Sequence, residues 1–181
     1  ADVIISSGYK CLRGTYGTAV GYLSPEAKKL VPGIVGFRSN EDIWDMRSDR
    51  MNLPEDASRF EFTTLHFGAL RGLAASIEEM LEIGIERIWE HDLSLSDMVV
   101  ELASSRGLEV TSPTDDDQRS AIVSIRPPSE HHSAEIVRRL QDEFGILVTD
   151  RSGMIRMSPH IDNDHSQIEF LFTSLDKILA N

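Results

Sequence analysis

The chain has 181 residues, 40% hydrophobic and 27% charged, which fits one globular domain or a small domain joined to part of another. Its net charge of −12 argues against nucleic-acid or anionic-membrane partners, which favour a basic patch. No apolar run approaches the roughly 18 residues needed to cross a bilayer, and the single cysteine, Cys11, excludes an internal disulfide and fits a reducing cytoplasm.

The sequence opens at Ala1, directly on an apolar run and without a basic, apolar leader, which reads as a fragment, a processed chain or a domain cut from something longer. Val3 to Ser6 is short and β-branched, the mark of a buried strand. A Gly-rich stretch from Gly8 to Gly17 follows, then a second predicted strand over Thr18 to Leu23. Residues Ser24 to Ala57 hold Pro25, Pro32, Gly33 and Pro54 with little periodicity and read as a long irregular excursion. Helical spacing returns from Phe67 to Ile83, with Leu70, Leu73, Ala74, Ile77 and Leu81 on one face. Gly84 interrupts it, and a second helical pattern runs from Ile85 to Ser105 and stops at Gly107.

Beyond Gly107 the rhythm changes. Strands are predicted over Leu108 to Thr111, Ala121 to Ile125, Ile146 to Thr149 and Met154 to Ser158. Helices are predicted over Ser133 to Phe144, closed by Gly145, and over Gln167 to Leu179. That order gives a compact α/β layer with both helices on one face. The acidic run Asp115 to Asp117 reads as a solvated loop. A boundary near residue 85 follows: residues 1–84 hold too few elements for a core of their own, and residues 85–181 form a small α/β domain.

Lys10 stands at the end of an apolar strand, where a lysine is ordinarily a solvated surface residue. Its surroundings argue otherwise. Hydroxyls on Ser7, Tyr9, Thr15 and Thr18 gather around Gly8, Gly14 and Gly17, and glycines let backbone N–H groups approach an anion closely. A lysine beside such a cradle stabilises a phosphate by charge, or forms an imine with an aldehyde; desolvation favours the imine by making the amine more nucleophilic.

The phrase Asp2-x4-Ser7-Gly8-Tyr9-Lys10, followed by Gly14-Thr15-Tyr16-Gly17-Thr18 and Val20-Gly21-Tyr22-Leu23, resembles the lysine segment of the class V aminotransferases. That family of pyridoxal 5'-phosphate (PLP) enzymes also takes in cysteine desulfurases, selenocysteine lyases, kynureninases and isopenicillin-N epimerase-like enzymes. Tyr9 stands where many desulfurases carry histidine. The resemblance implies that Lys10 holds the cofactor as a Schiff base and that Ser7 and Tyr9 face its phosphate. It implies an α/β fold, in which residues 1–84 end the large PLP-binding domain of a fold-type I enzyme and residues 85–181 form its small domain.

Arg59-Phe60-Glu61-Phe62-Thr63-Thr64 is similar to the family's Arg-Phe-Glu-x-Gly-Thr, with Thr63 in place of the glycine. By that resemblance, Thr64 reaches the phosphate of the neighbouring subunit's cofactor, in a homodimer with its active site at the interface. Gly153-Met154-Ile155-Arg156-Met157-Ser158-Pro159-His160, with Asn163 following, resembles the segment whose arginine binds the substrate's α-carboxylate. Arg156 takes that place, and a guanidinium suits it by offering a planar, permanently charged fork. The Tyr-Asn-Thr that usually follows is replaced by Asp162-Asn163-Asp164.

Family desulfurases carry a nucleophilic cysteine on a loop ahead of that arginine. The matching stretch, Ile146 to Gly153, has none. Cys11 reads as a small packing residue, since neighbours in an extended chain point to opposite sides. Aminotransfer, epimerisation and C–S or C–C lyase chemistry on an amino acid remain, with the Ile155-to-His160 phrase nearest the epimerase and C–S lyase branch. The carboxylate for the pyridine nitrogen and the side chain stacked on the ring lie upstream of the lysine in the family. The resemblance therefore implies that these 181 residues alone bind PLP weakly or not at all and are inactive. The six histidines have no metal-ligand spacing. Trp44 reads as a packing residue, and Arg38 and Arg47 as loop cations within reach of a carboxylate or phosphate.

Overall fold

The computed structural model describes residues 1–180. The chain forms two compact units, Ala1–Glu82 and Ile83–Asn181.

In the first unit, β1 (Val3–Ser7) pairs antiparallel with β2 (Ala19–Leu23), with Ile4 opposite Tyr22 and Ser7 opposite Ala19. These two strands are the whole sheet. Successive side chains of a strand point to opposite faces, yet Val3, Ile4 and Ile5 are all exposed, Ile5 at 77%. Both faces of the hairpin are therefore apolar and uncovered among the described residues. That pattern belongs to a strand pair from a sheet buried on both sides. The strands were expected from their β-branched run; their burial is not found among the described residues.

Between β2 and residue 66 the excursion contains three 3-10 turns, Ala27–Lys29, Phe37–Ser39 and Ala57–Phe60. Helix α1 (Phe67–Ile83) follows. It buries Ala69, Leu73 and Met80, whereas Leu81, expected on the inner face, is 64% exposed. Besides those three residues, only Ala27 is a buried hydrophobic residue of this unit. Trp44 does not pack: it is 81% exposed.

The second unit has a core of its own. Helix α2 (Ile85–Ser105) starts at Gly84, whose φ of 98° suits only glycine. Strands β3 (Glu109–Val110), β4 (Val123–Arg126), β5 (Thr149–Arg151) and β6 (Met154–Met157) form an antiparallel sheet in the order β3-β4-β6-β5. Helices α3 (Ser133–Phe144) and α4 (His165–Leu179) complete it. Val123, Ile125, Ile155 and Met157 share one apolar cluster with Leu95 and Val99 of α2, Ile136 and Leu140 of α3, and Phe172 and Leu175 of α4. All three helices thus cover one sheet face, α2 adding to the two foreseen. No helix among the described residues is long and apolar enough to cross a membrane.

Candidate active site

Lys10 lies in the turn that leaves β1, and hydrogen bonds shape that turn closely. The Gly8 N–H donates to the Thr18 carbonyl at 2.8 Å, the Gly14 N–H to the Gly8 carbonyl at 2.7 Å, and the Arg13 N–H to the Lys10 carbonyl at 2.7 Å. Arg13 has a φ of 56°, a left-handed conformation uncommon outside glycine. A Cβ on Gly8 would sit 2.2 Å from Thr18 Oγ1, and one on Gly14 would sit 2.6 Å from Leu73 Cδ1.

These contacts correct the expected anion cradle. The amides of Gly8 and Gly14 are spent on backbone carbonyls. The Thr18 hydroxyl donates to the Thr15 carbonyl at 2.7 Å, and the Thr15 hydroxyl to the Ala69 carbonyl at 3.3 Å. Gly8 and Gly14 serve close packing of the lysine turn against Thr18 and α1, and two of the four hydroxyls hold that packing together. Gly8→Ala is expected to destabilise the folded protein by about 1–3 kcal/mol through overpacking; urea unfolding of the full-length protein checks it.

The Ser7 and Tyr9 hydroxyls remain outside this network. Lys10 is exposed, and its Nζ lies 5.9 Å from the centroid of the Tyr9 ring, which stacks on Tyr16 at 4.5 Å. Among the described residues no carboxylate pairs with Lys10. Cys11 is exposed, which corrects its reading as a packing residue. The chain at Lys10 and Cys11 turns instead of extending, so adjacent side chains need not diverge.

The Arg59-to-Thr64 segment is a 3-10 turn running into irregular chain, and its charged residues build the loop beneath it. Arg59 donates to the Lys28 carbonyl. Arg38 pairs with Glu61 at 2.9 Å, and the Ser39 hydroxyl donates to the Glu61 carbonyl at 2.8 Å. Arg38 is thereby committed, and Arg47 pairs with Asp49 at 2.5 Å. Gly36 is required where a Cβ would lie 2.0 Å from the Phe62 carbonyl oxygen. Thr64 emerges from this scaffold exposed.

In the second unit, Arg156 is central in β6, directly opposite Ser124 of β4 on one side and Thr149 of β5 on the other. Alternation sends Ile155 and Met157 into the core and Arg156 to the open face. Its Nε is buried with no hydrogen-bond partner. A buried, charged donor without an acceptor is costly, and an anion on that face would satisfy it. The strand between the arginine and its predecessor turns abruptly: Arg151 faces Met154 across Ser152 and Gly153, whose φ values are 52° and 79°. Two consecutive left-handed residues are the two-residue hairpin turn that matches strand twist.

One contact in this region was not foreseen. Asp92, buried on α2, accepts a 2.6 Å hydrogen bond from His160 Nδ1, and His91 Nε2 lies 2.9 Å from the Asn163 carbonyl. Together they tie the turn after β6 to α2. The only sequence signal was a carboxylate on the otherwise apolar side of a helix. Asp164 then caps α4 in a capping box, its carboxyl held below the usual range by the Ser166 hydroxyl and the Gln167 N–H.

The aminotransferase class-V family model matches residues 1–171. The chain belongs to that family. As a class V member it is 26% identical, over 196 residues, to a probable cysteine desulfurase of Pyrococcus abyssi, covering 100% of this chain and 47% of the relative. The apo structure of the cysteine desulfurase from Thermococcus onnurineus NA1 superposes with a TM-score of 0.86 at 25% identity, covering 99% of this chain and 47% of that one. The cystine C–S lyase C-DES, solved with its product cysteine persulfide, shares the fold, with a TM-score of 0.81 at 22% identity and coverage of 93% and 44%. C-DES has also been solved with glycine covalently linked to its PLP cofactor. The fold is that of fold-type I PLP enzymes, and this class V chain spans about half the length of the relatives it matches.

The residues fit the family's cofactor. An exposed amine 5.9 Å from the Tyr9 ring, which no carboxylate among the described residues pairs, suits a phosphorylated aldehyde, and the buried Nε of Arg156, without a partner among the described residues, suits a carboxylate.

Proposed function

We propose that this chain is the C-terminal part of a PLP-dependent enzyme that acts on a small amino acid by C–S lyase or related α/β-elimination chemistry, without a persulfide cysteine. Residues 1–84 supply the end of the large cofactor-binding domain and residues 85–181 the small domain. The observation that carries the choice of chemistry is the β5–β6 turn. Ser152 and Gly153 join the two strands in two residues, and no cysteine stands anywhere from Ile146 to Gly153 ahead of Arg156.

In this reading Lys10 attaches the cofactor covalently, and Ser7 and Tyr9 donate to its phosphate. Thr64 donates to the phosphate of the neighbouring subunit's cofactor, which makes the working unit a homodimer. Arg156 binds the substrate carboxylate in a bidentate pair, the geometry that a planar fork favours. When bound, PLP supplies an electron sink for the pair released at the substrate's Cα. With the cofactor in place, the Lys10 amine would be the base that takes the Cα proton and the acid that returns one. No residue of this chain is assigned to the pyridine nitrogen.

The test is the full-length protein incubated with PLP and a panel of amino acids, with pyruvate, sulfide, keto acid and racemised substrate all measured. Pyruvate and sulfide from cysteine or cystine support the reading. Keto acid without sulfide makes the enzyme an aminotransferase, and inverted substrate without either makes it an epimerase.

A further inference from the structure

Taking the reading of Lys10 as given, we propose that Arg13 is a positioning residue for it. Four consecutive residues after the lysine, Leu12 to Thr15, each contact α1. The Ser76 hydroxyl donates to the Leu12 carbonyl at 2.7 Å, Arg13 Nη1 pairs with Glu79 at 3.2 Å, Gly14 packs on Leu73, and the Thr15 hydroxyl donates to the Ala69 carbonyl at 3.3 Å. These partners lie at intervals of three or four residues, so they form one face of a single helix.

Within that seam only Arg13 acts on Lys10 directly. Its N–H closes the turn on the Lys10 carbonyl at 2.7 Å, and its φ of 56° reverses the chain so that Gly14 returns to the Gly8 carbonyl. Glycine or asparagine adopts that conformation with less strain than arginine does. Among the described residues only Ser152 is another non-glycine with positive φ, and it sits in a hairpin turn that calls for one. Arginine at position 13 is therefore unfavourable for the backbone, and its compensation is the side chain. The guanidinium fixes a strained turn to α1, and a turn with fewer conformations presents the amine in fewer directions. Strained backbone held by surrounding structure is a recurring feature of functional loops.

Positioning separates from stability in Arg13→Gly. Glycine relieves the left-handed strain but loosens the unfolded chain, and the two effects oppose each other. The melting temperature of the full-length apoprotein is expected to stay nearly unchanged. The rate at which added PLP develops the visible band of a lysine-bound cofactor is expected to fall about tenfold, as small misplacements of reacting groups do. Borohydride trapping should fall in parallel. Arg13→Lys, which keeps the charge toward Glu79, is expected to recover most of the rate, and Glu79→Gln to lose part of it.

A rate within twofold of the parent in Arg13→Gly overturns the proposal. So does a rate loss that Arg13→Lys does not recover. If Arg13→Gly fails to fold, Glu79→Gln decides, and an unaltered rate there overturns it. Lys10→Ala run alongside separates the two readings. A band that survives in Lys10→Ala removes the lysine assignment, and this inference with it. A band that vanishes there but is indifferent to Arg13 removes only the inference.

Discussion

Replacing Lys10 by alanine in the full-length protein is expected to abolish the visible absorption of bound PLP and to lower turnover on the order of 10³-fold or more. A methyl group has no lone pair with which to join the aldehyde carbon, and it leaves no base at the substrate's Cα. Lys10→Arg sharpens the test. It keeps the positive charge beside the Tyr9 ring, but a guanidinium stays protonated at neutral pH and is a poor nucleophile. If Lys10 served only to attract a phosphate, the arginine variant would retain the cofactor. On the present reading, both variants lose the band equally. Absorbance titration with PLP, with intact mass after borohydride reduction, reads the outcome, and a retained band in the arginine variant would sink the covalent role.

The second large effect is expected at Arg156. Arg156→Gln removes a charge-assisted bidentate pair, each hydrogen bond of which contributes about 1.5–3 kcal/mol, so kcat/KM for the amino acid should fall by roughly 10²-fold or more. Most of that loss should appear in KM, because the carboxylate is held equally before and during the chemistry. The apoprotein should be no less stable to urea, since the variant removes a buried nitrogen that lacks a partner. Lys is not a conservative replacement at a forked site, and Arg156→Lys should recover only part of the KM. Steady-state kinetics with equilibrium unfolding checks both halves. An unchanged KM would remove Arg156 from the substrate site.

Much of the fold was legible because helices declare themselves over many residues. The spans Phe67 to Ile83, Ile85 to Ser105 and Ser133 to Phe144 are found as read, each bounded by a glycine or by a break in the apolar period. Strand β5 was misplaced. The apolar run Ile146-Leu147-Val148 has the composition of a strand, but the ladder runs over Thr149–Arg151. Pairing register is dictated by the tight turn at Ser152–Gly153, and three residues of β-branched or apolar character do not outweigh it. Ile146 and Val148 pack on the core as a connection instead.

The candidate site divides in the same way. The direction of Arg156 followed from simple alternation between Ile155 and Met157. The glycines around Lys10 were recognised, but their purpose was not, because composition cannot say which acceptor an amide will find. The Gly8 amide finds Thr18, and the missing Cβ makes room for the same residue's hydroxyl. Contacts between distant positions, such as Asp92 with His160, leave no local trace in spacing at all.

The bare hairpin of β1 and β2 carries a practical consequence. Each strand has one edge that no other strand among the described residues pairs, flanked above and below by isoleucine, valine and tyrosine. Such an edge is a template for another extended chain. A proteolytic nick that freed this segment from whatever normally sheathes it would leave a species prone to grow end on end into fibrils. Residues 83–180, with their own oily interior, would stay in solution.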